Sequence, residues 1–255
     1  LQYFHDYVDH FGLRPHIRFN TRVEKAKRRA GGGWDVTLST GETTQYDALA
    51  VANGHHWAAR IPEYPGHFDG AQIHSHQYRT PFEPVDCIGK RVLVVGMGNS
   101  AMDIASELAQ RPMAEKLFVS TRRGVWIFPK YYRGQPLDKN PAPAWLPKGI
   151  KQWLGARMVK GLVGKMSDYG LPEPEIGPFE SHGTVSGEFL VRAGSGDINM
   201  KPAVERLDGD GVVFTDGSRE KVDVIVWATG YDISFPFFYD PAFTADSDNS
   251  TTTLL

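Results

Sequence analysis

The stretch Lys90–Leu108, KRVLVVGMGNSAMDIASEL, constrains this chain most. The run that closes at Val95 is β-branched and aliphatic with no polar alternation. That predicts a strand buried on both faces of a parallel sheet. The run breaks at Gly96. Asn99 and Ser100 are good helix starters, and Ala101, Ile104, Ala105 and Leu108 then recur at helical spacing. Strand, tight glycine turn and helix follow without a gap. Within the turn lies Gly96-x-Gly98-x-x-Ala101, a dinucleotide-binding pattern with alanine as its third small residue. Gly96 is expected to make the turn, Gly98 to let a pyrophosphate touch the backbone, and Ala101 to let helix and strand pack closely. The helix N-terminus offers free N–H groups and positive dipole to the phosphates. Asp103 falls on the first turn, where the dipole favours a negative charge.

The next strand, Lys116–Ser120, bears on which nucleotide. An NAD site would place an acid at its end, about 20 residues past the glycines, to hold the ribose 2′-hydroxyl. Here the end reads Ser120-Thr121-Arg122-Arg123. There is no acid, and there are two guanidiniums, which match the geometry and charge of a phosphate. Arg122 and Arg123 therefore predict a 2′-phosphate site and NADP.

A chain of 255 residues is long enough for one large or two medium domains. Its net charge of −2 gives no reason to expect nucleic acid. The single cysteine, Cys87, excludes an intrachain disulfide framework, leaves no C-x-x-C redox pair and suits a reducing, cytoplasmic setting. No apolar run approaches the roughly 18 residues that span a bilayer, and membrane association is not expected. His74, His76, His67 and Cys87 share no zinc-ligand spacing, so no metal site is expected.

Leu1, Phe4, Tyr7, Val8 and Phe11 mark one face of a helix that Gly12 ends. Ile17, Phe19 and Val23 predict a strand, and Trp34, Val36 and Leu38 another. Thr40-Gly41-Glu42 turns into a third. Ala48–Ala52 reads as a buried strand ending at Asn53-Gly54. That pattern recurs without a gap 176 positions on, where Gly41 meets Gly217, Asp47 meets Asp223, Ala52 meets Ala228 and Gly54 meets Gly230. Each copy predicts a hairpin, an Asp, a buried strand and a glycine exit. Asn53-Gly54 and Thr229-Gly230 would lie at carboxyl ends of strands, where open α/β sheets bind ligands.

The repeat implies an α/β chain of two related Rossmann-like three-layer lobes with β-meanders. Nothing before Thr37 combines a strand with G-x-G-x-x-G, so the first lobe is incomplete and the chain reads as a fragment beginning mid-lobe. The expected division is 1–60 for the first lobe's C-terminal half, 61–89 for a linker and 90–240 for the nucleotide lobe. The last carries an insertion at about 125–202 and returns toward the first lobe at 228–240. Residues 241–255 form a polar tail or truncated continuation. Within the insertion come a proline-rich stretch (Pro129, Pro136, Pro141, Pro143, Pro147) and a basic helix at 149–166. Ile150, Trp153, Leu154, Met158 and Leu162 share one side of that helix and are expected to dock on its own domain. Trp126, Lys130 and Tyr131 stand near the arginine pair, to cover an adenine or merely to pack.

In the linker, Phe68-x-Gly70-x-x-x-His74-x-x-x-Tyr78 resembles the F-x-G-x-x-x-H-x-x-x-Y/F signature of flavin-containing monooxygenases, within the class B flavoprotein monooxygenases. Ala228-Thr229-Gly230-Tyr231 is similar to that family's A-T-G-Y strand exit. The resemblance runs from about Leu1 to Pro236. It implies a two-dinucleotide-binding-domain flavoprotein with FAD in the first lobe and NADPH in the second. Hydride passes to the flavin, reduced flavin and O2 form a C4a-hydroperoxide, and one oxygen atom goes to a soft nitrogen or sulfur of a small molecule. His74 would bridge the cofactor lobes. The family's FAD glycine loop and active-site asparagine have no match in this chain, so no catalytic residue is assigned. Ketone-oxidising Baeyer–Villiger relatives carry Trp where this chain has Tyr78, which favours heteroatom oxygenation. A pyridine nucleotide–disulfide reductase lacks its cysteine pair here, and a non-catalytic NADP-binding module stands as the alternative of a different class. A homodimer is left open.

Overall fold

The computed structural model describes residues 1–139, 145–178, 180, 183–240 and 243. Pro141, Pro143 and, Phe243 apart, the polar tail from 241 lie outside the described residues. The chain forms two compact units: Ala59–Gly230, and Leu1–Ala58 with the chain from Tyr231 onward.

The unit Ala59–Gly230 is built on a five-stranded parallel sheet. Its order is Asn199–Lys201, Lys116–Ser120, Arg91–Val95, Val224–Trp227, Ala71–His74. Successive side chains on a strand point to opposite faces, and both faces here are covered. Val92, Val94, Leu117, Val119, Val224 and Val226 pack under the helix Asn99–Leu108, with its Ala101, Met102, Ala105 and Leu108. Leu93, Val95, Phe118, Ile225 and Trp227 face the other way. They pack on Val204, Val212 and Phe214 of an antiparallel meander, Val204–Asp208, Gly211–Phe214 and Arg219–Lys221. Helix, parallel sheet and meander make the three layers that the sequence predicts. The segment read as a linker is more than that, because Ala71–His74 pairs with Val224–Trp227 and forms the sheet's edge.

The unit containing Leu1–Ala58 holds a second meander, Val23–Arg28, Trp34–Leu38 and Thr43–Tyr46. Ile17 and Phe19 precede its first strand instead of joining it; a 3-10 turn occupies Arg14–His16. The two meanders share details. Each first strand has a register shift, between Val23 and Lys25 opposite Leu38 and Thr37, and between Val204 and Arg206 opposite Phe214 and Val213. Gly41 and Gly217 turn with φ of +85° and +80°. The hairpin half of the internal repeat is therefore one structure made twice.

The strand half is not. Val224–Trp227 is fully buried and paired on both sides. Its counterpart Ala48–Ala52 forms no strand and, Leu49 apart, is exposed. A parallel strand exists through its neighbours' hydrogen bonds, and no described strand lies beside this segment. Asn53 and Gly54 thus do not sit at a strand's carboxyl end, although Gly54 keeps the positive φ of Gly230, +73° against +86°.

The returning chain packs on the first meander. Ala26 donates its N–H to the Phe237 carbonyl at 2.8 Å, and Trp34 meets the Phe238 ring at 5.7 Å. The helix Gln2–His10 forms, with Phe4 and Tyr7 exposed. In the insertion, a helix spans Lys148–Val163. It buries Gly155 and Val159, whereas Ile150, Trp153, Leu154 and Leu162 are exposed. Burial on this helix thus falls on Gly155 and Val159 and not on the bulky apolar side. No described helix is long and apolar enough to cross a membrane.

Candidate functional site

The glycine turn joins strand Arg91–Val95 to helix Asn99–Leu108. Gly96 has φ +127°, and its N–H donates to the Ser120 carbonyl at 2.9 Å. A Cβ at Gly96 would collide with the Ala228 carbonyl oxygen, so this position excludes every side chain on two counts. Gly98 differs. It is extended, at φ −79° and ψ 179°, and a Cβ there would meet nothing within 4 Å. Space lies open over the backbone at the helix N-terminus, and no side chain caps the helix. The first-turn N–H groups are thus left for an anion. Ala101 is wholly buried, while Ser100 and Asp103 are exposed. Asn99 is exposed too, but its side-chain oxygen accepts the Val185 N–H at 2.9 Å.

Beyond strand Lys116–Ser120, the Thr121 hydroxyl donates to the Arg123 carbonyl at 2.7 Å, and the Thr121 N–H to the Lys201 carbonyl at 3.1 Å. This tight turn presents Arg122 and Arg123 to solvent. Among the described residues neither forms an ion pair. Tyr64 stacks on Trp227 with ring centres 5.7 Å apart. Burial pushes its phenol pKa up, and nearby Arg122 opposes the rise. Trp126 is engaged by the Ile176 carbonyl, which accepts its indole N–H at 2.7 Å, and Tyr131 is exposed.

The signature residues sew strand Ala71–His74 onto its unit. Phe68 packs on the core beneath the meander and bridges to Gly209. Gly70 lies against the backbone: an added Cβ would come 2.5 Å from the Asp223 carbonyl oxygen. Asp223 is itself clamped, accepting the Arg91 N–H at 2.8 Å and two guanidinium hydrogen bonds at 3.1 and 2.9 Å. The guanidinium chiefly holds its carboxyl below the usual range. His74 is buried at 1% exposure, and its Nδ1 accepts the His76 N–H at 3.0 Å. Burial lowers the pKa of its ring; the Gly230 carbonyl beside it pulls the other way. The Tyr78 hydroxyl donates to Glu107 on the helix Asn99–Leu108 at 2.9 Å. Burial first, then the hydrogen bond to Glu107 and the Glu107 charge, raise its pKa. Tyr78 and Glu107 line an open cleft of about 600 Å³ with Asp103, Lys130 and Glu188.

At the exit of strand Val224–Trp227, the Thr229 hydroxyl donates to the Arg60 carbonyl, and the Gly230 carbonyl accepts the Arg60 N–H at 3.0 Å. The turn residues Gly96 and Gly98, the Arg122–Arg123 pair, Thr229 and Gly230 therefore all follow carboxyl ends of strands in one sheet, the edge at which such sheets bind ligands. Asn53 and Gly54 belong to the other unit and are exposed. Among the described residues no three His, Cys, Asp or Glu side chains come together as metal ligands. The residues of Ala59–Gly230 fit a 2′-phosphorylated dinucleotide. No strand–glycine turn–helix unit lies among Leu1–Ala58, so no corresponding cradle for a flavin pyrophosphate is formed there.

Sequence reasoning passed over Thr184, Val185 and Glu107. Thr184 donates its hydroxyl to the Met97 carbonyl inside the glycine turn at 3.1 Å. It stands 87 positions away, in a two-residue strand with no periodicity to read.

Proteins of known family are similar to this chain over most of its length. The family profile described as flavin-binding monooxygenase-like matches residues 1–252. Dimethylaniline monooxygenase (N-oxide-forming) 2 of Rattus norvegicus is 37% identical over 94% of this chain and 47% of its own length. Flavin-containing monooxygenase 5 of Oryctolagus cuniculus is 33% identical over 94% of this chain and 48% of its own. The chain thus spans about half the length of these relatives. A cyclohexanone monooxygenase from Rhodococcus sp. Phi1, solved bound to NADP+, superposes with a TM-score of 0.64 at 20% identity, covering 91% of this chain and 55% of the other. That likeness shows the two-dinucleotide-binding flavoprotein fold. Motif order, fold and this degree of identity agree, and the chain belongs to the flavin-binding monooxygenase-like family.

Proposed function

We propose that this chain is the NADPH-binding part of an NADPH- and FAD-dependent monooxygenase acting on a soft nitrogen or sulfur of a small molecule. In the overall reaction, substrate, O2, NADPH and a proton give oxygenated substrate, NADP+ and water. NADPH supplies a hydride when bound. The chain's own residues bind and orient it. The N–H groups at Gly98 and the first helical turn hold the pyrophosphate, and Arg122 and Arg123 hold the 2′-phosphate. The observation that carries the reading is the open, uncapped turn at Gly98 on the same sheet edge as two unpaired arginines.

Choice of oxygen acceptor rests on Tyr78 and on the family. The signature ends in Tyr78, not the Trp of ketone-oxidising relatives, and the rat relative is named for forming an N-oxide. The test uses the whole two-lobed protein, loaded with FAD and given NADPH and O2, with N,N-dimethylaniline, a thioether and cyclohexanone offered in parallel. N-oxide or sulfoxide is the expected product. Lactone as the main product would move the assignment to Baeyer–Villiger chemistry, and NADPH binding without any oxygenation would favour the non-catalytic module.

A further inference from the structure

We propose that Thr184 is a positioning residue for the dinucleotide pyrophosphate, acting on the Gly98 N–H through the peptide plane it shares with Met97. This rests on the reading that NADPH binds at the glycine turn. Thr184 is 4% exposed, and its hydroxyl donates to the Met97 carbonyl at 3.1 Å. The peptide unit is planar, so the Met97 carbonyl and the Gly98 N–H point in opposite directions from one rigid plate. Pinning the carbonyl fixes where the N–H aims. Among the described residues that N–H has no intramolecular acceptor, and the space over Gly98 is open. Glycine's freedom at this position is what needs restraining.

The next residue along adds a second hold, since the Val185 N–H donates to the Asn99 side-chain oxygen at 2.9 Å. Both anchors come from the two-residue strand Thr184–Val185, which pairs in parallel with Ile127–Phe128. Ile127 and Phe128 are buried at 0% and 3% exposure. Thr184 and Val185 are thus seated on a rigid base, and the insertion, far off in sequence, braces the turn. The Asn99 oxygen is committed to this brace.

Titration calorimetry of the chain and its Thr184→Val and Thr184→Ser variants tests the idea. The ligands are NADPH and adenosine 2′-monophosphate, which reaches the arginine pair but has no pyrophosphate. Thr184→Val is expected to raise the NADPH Kd about three- to tenfold, the worth of one neutral hydrogen bond. Thr184→Ser is expected to restore it, with binding of adenosine 2′-monophosphate the same in all three proteins. Where Thr184→Val does not fold, Thr184→Cys, a weak donor, is expected to give an intermediate Kd. An NADPH Kd unmoved by Thr184→Val, or equal weakening of both ligands, would overturn the positioning role alone. A parent chain that binds neither ligand would overturn the NADPH reading and this inference with it.

Discussion

Gly96 and Gly98 stand two positions apart in one turn, and the structure gives them opposite liabilities. Replacing Gly96 with Ala forces a side chain into φ +127° and drives a Cβ into the Ala228 carbonyl oxygen. Backbone in such a region costs about 1–3 kcal/mol, and overpacking against fixed atoms adds a similar amount. The sum, about 2–6 kcal/mol, is a large part of an ordinary domain's stability. A melting temperature lower by roughly 5–20 °C is expected. Gly98→Ala meets nothing within 4 Å and keeps an ordinary φ of −79°. Its fold should be unharmed, even stabilised by up to about 1 kcal/mol through a stiffer unfolded chain. The added methyl instead fills the place where the pyrophosphate must approach, so NADPH affinity should fall at least about tenfold, near 1.4 kcal/mol. Calorimetric melting and NADPH titration of both variants provide the assay. Equal destabilisation by the two would refute the geometry of the turn. A stable Gly98→Ala that binds NADPH as tightly as the parent would refute the location of the pyrophosphate.

Replacing Arg122 and Arg123 together with Ala should remove most of any preference for NADPH over NADH, because a charge-assisted phosphate contact contributes about 1.5–3 kcal/mol; a preserved preference in competitive titration would place the 2′-phosphate elsewhere. His74 has its pKa lowered from 6.5 by burial, so the unfolded chain takes up the proton more readily. Its stabilising contribution is complete above pH 6.5 and is lost as pH falls from there toward the folded value. Melting temperature should therefore drop between pH 7.5 and 5.5, and His74→Gln should flatten that slope. Tyr78→Phe removes the hydroxyl donated to Glu107 and should cost about 1 kcal/mol, discounted for the open cleft; a melting curve superimposable on the parent's would show that the bond contributes nothing.

Much of the fold was legible because it is local. A buried strand, a glycine turn and a helix each follow from side-chain pattern within about 20 residues, and Lys90–Leu108 formed as read. The repeat gave both meanders, since a hairpin carries its own partner strand. It misled at Ala48–Ala52 because a parallel strand needs neighbours distant in sequence, and pattern alone cannot supply them. The insertion helix misled for a related reason. Its bulky side is the more hydrophobic, yet the buried residues are Gly155 and Val159.

The sequence by itself determined that a strand–glycine turn–helix exists, which residues make it, and that arginines rather than an acid follow the second strand. Spacing carries that information, because a turn and its helix are contiguous. Only tertiary structure decided that Gly70 is needed by the Asp223 backbone, that Tyr78 reaches Glu107, and that Thr184 holds the Met97 carbonyl. These contacts join positions 29 to 153 apart in the chain. No local propensity encodes them. They arise when the sheet and the insertion close around the turn and each buried polar group must find a partner.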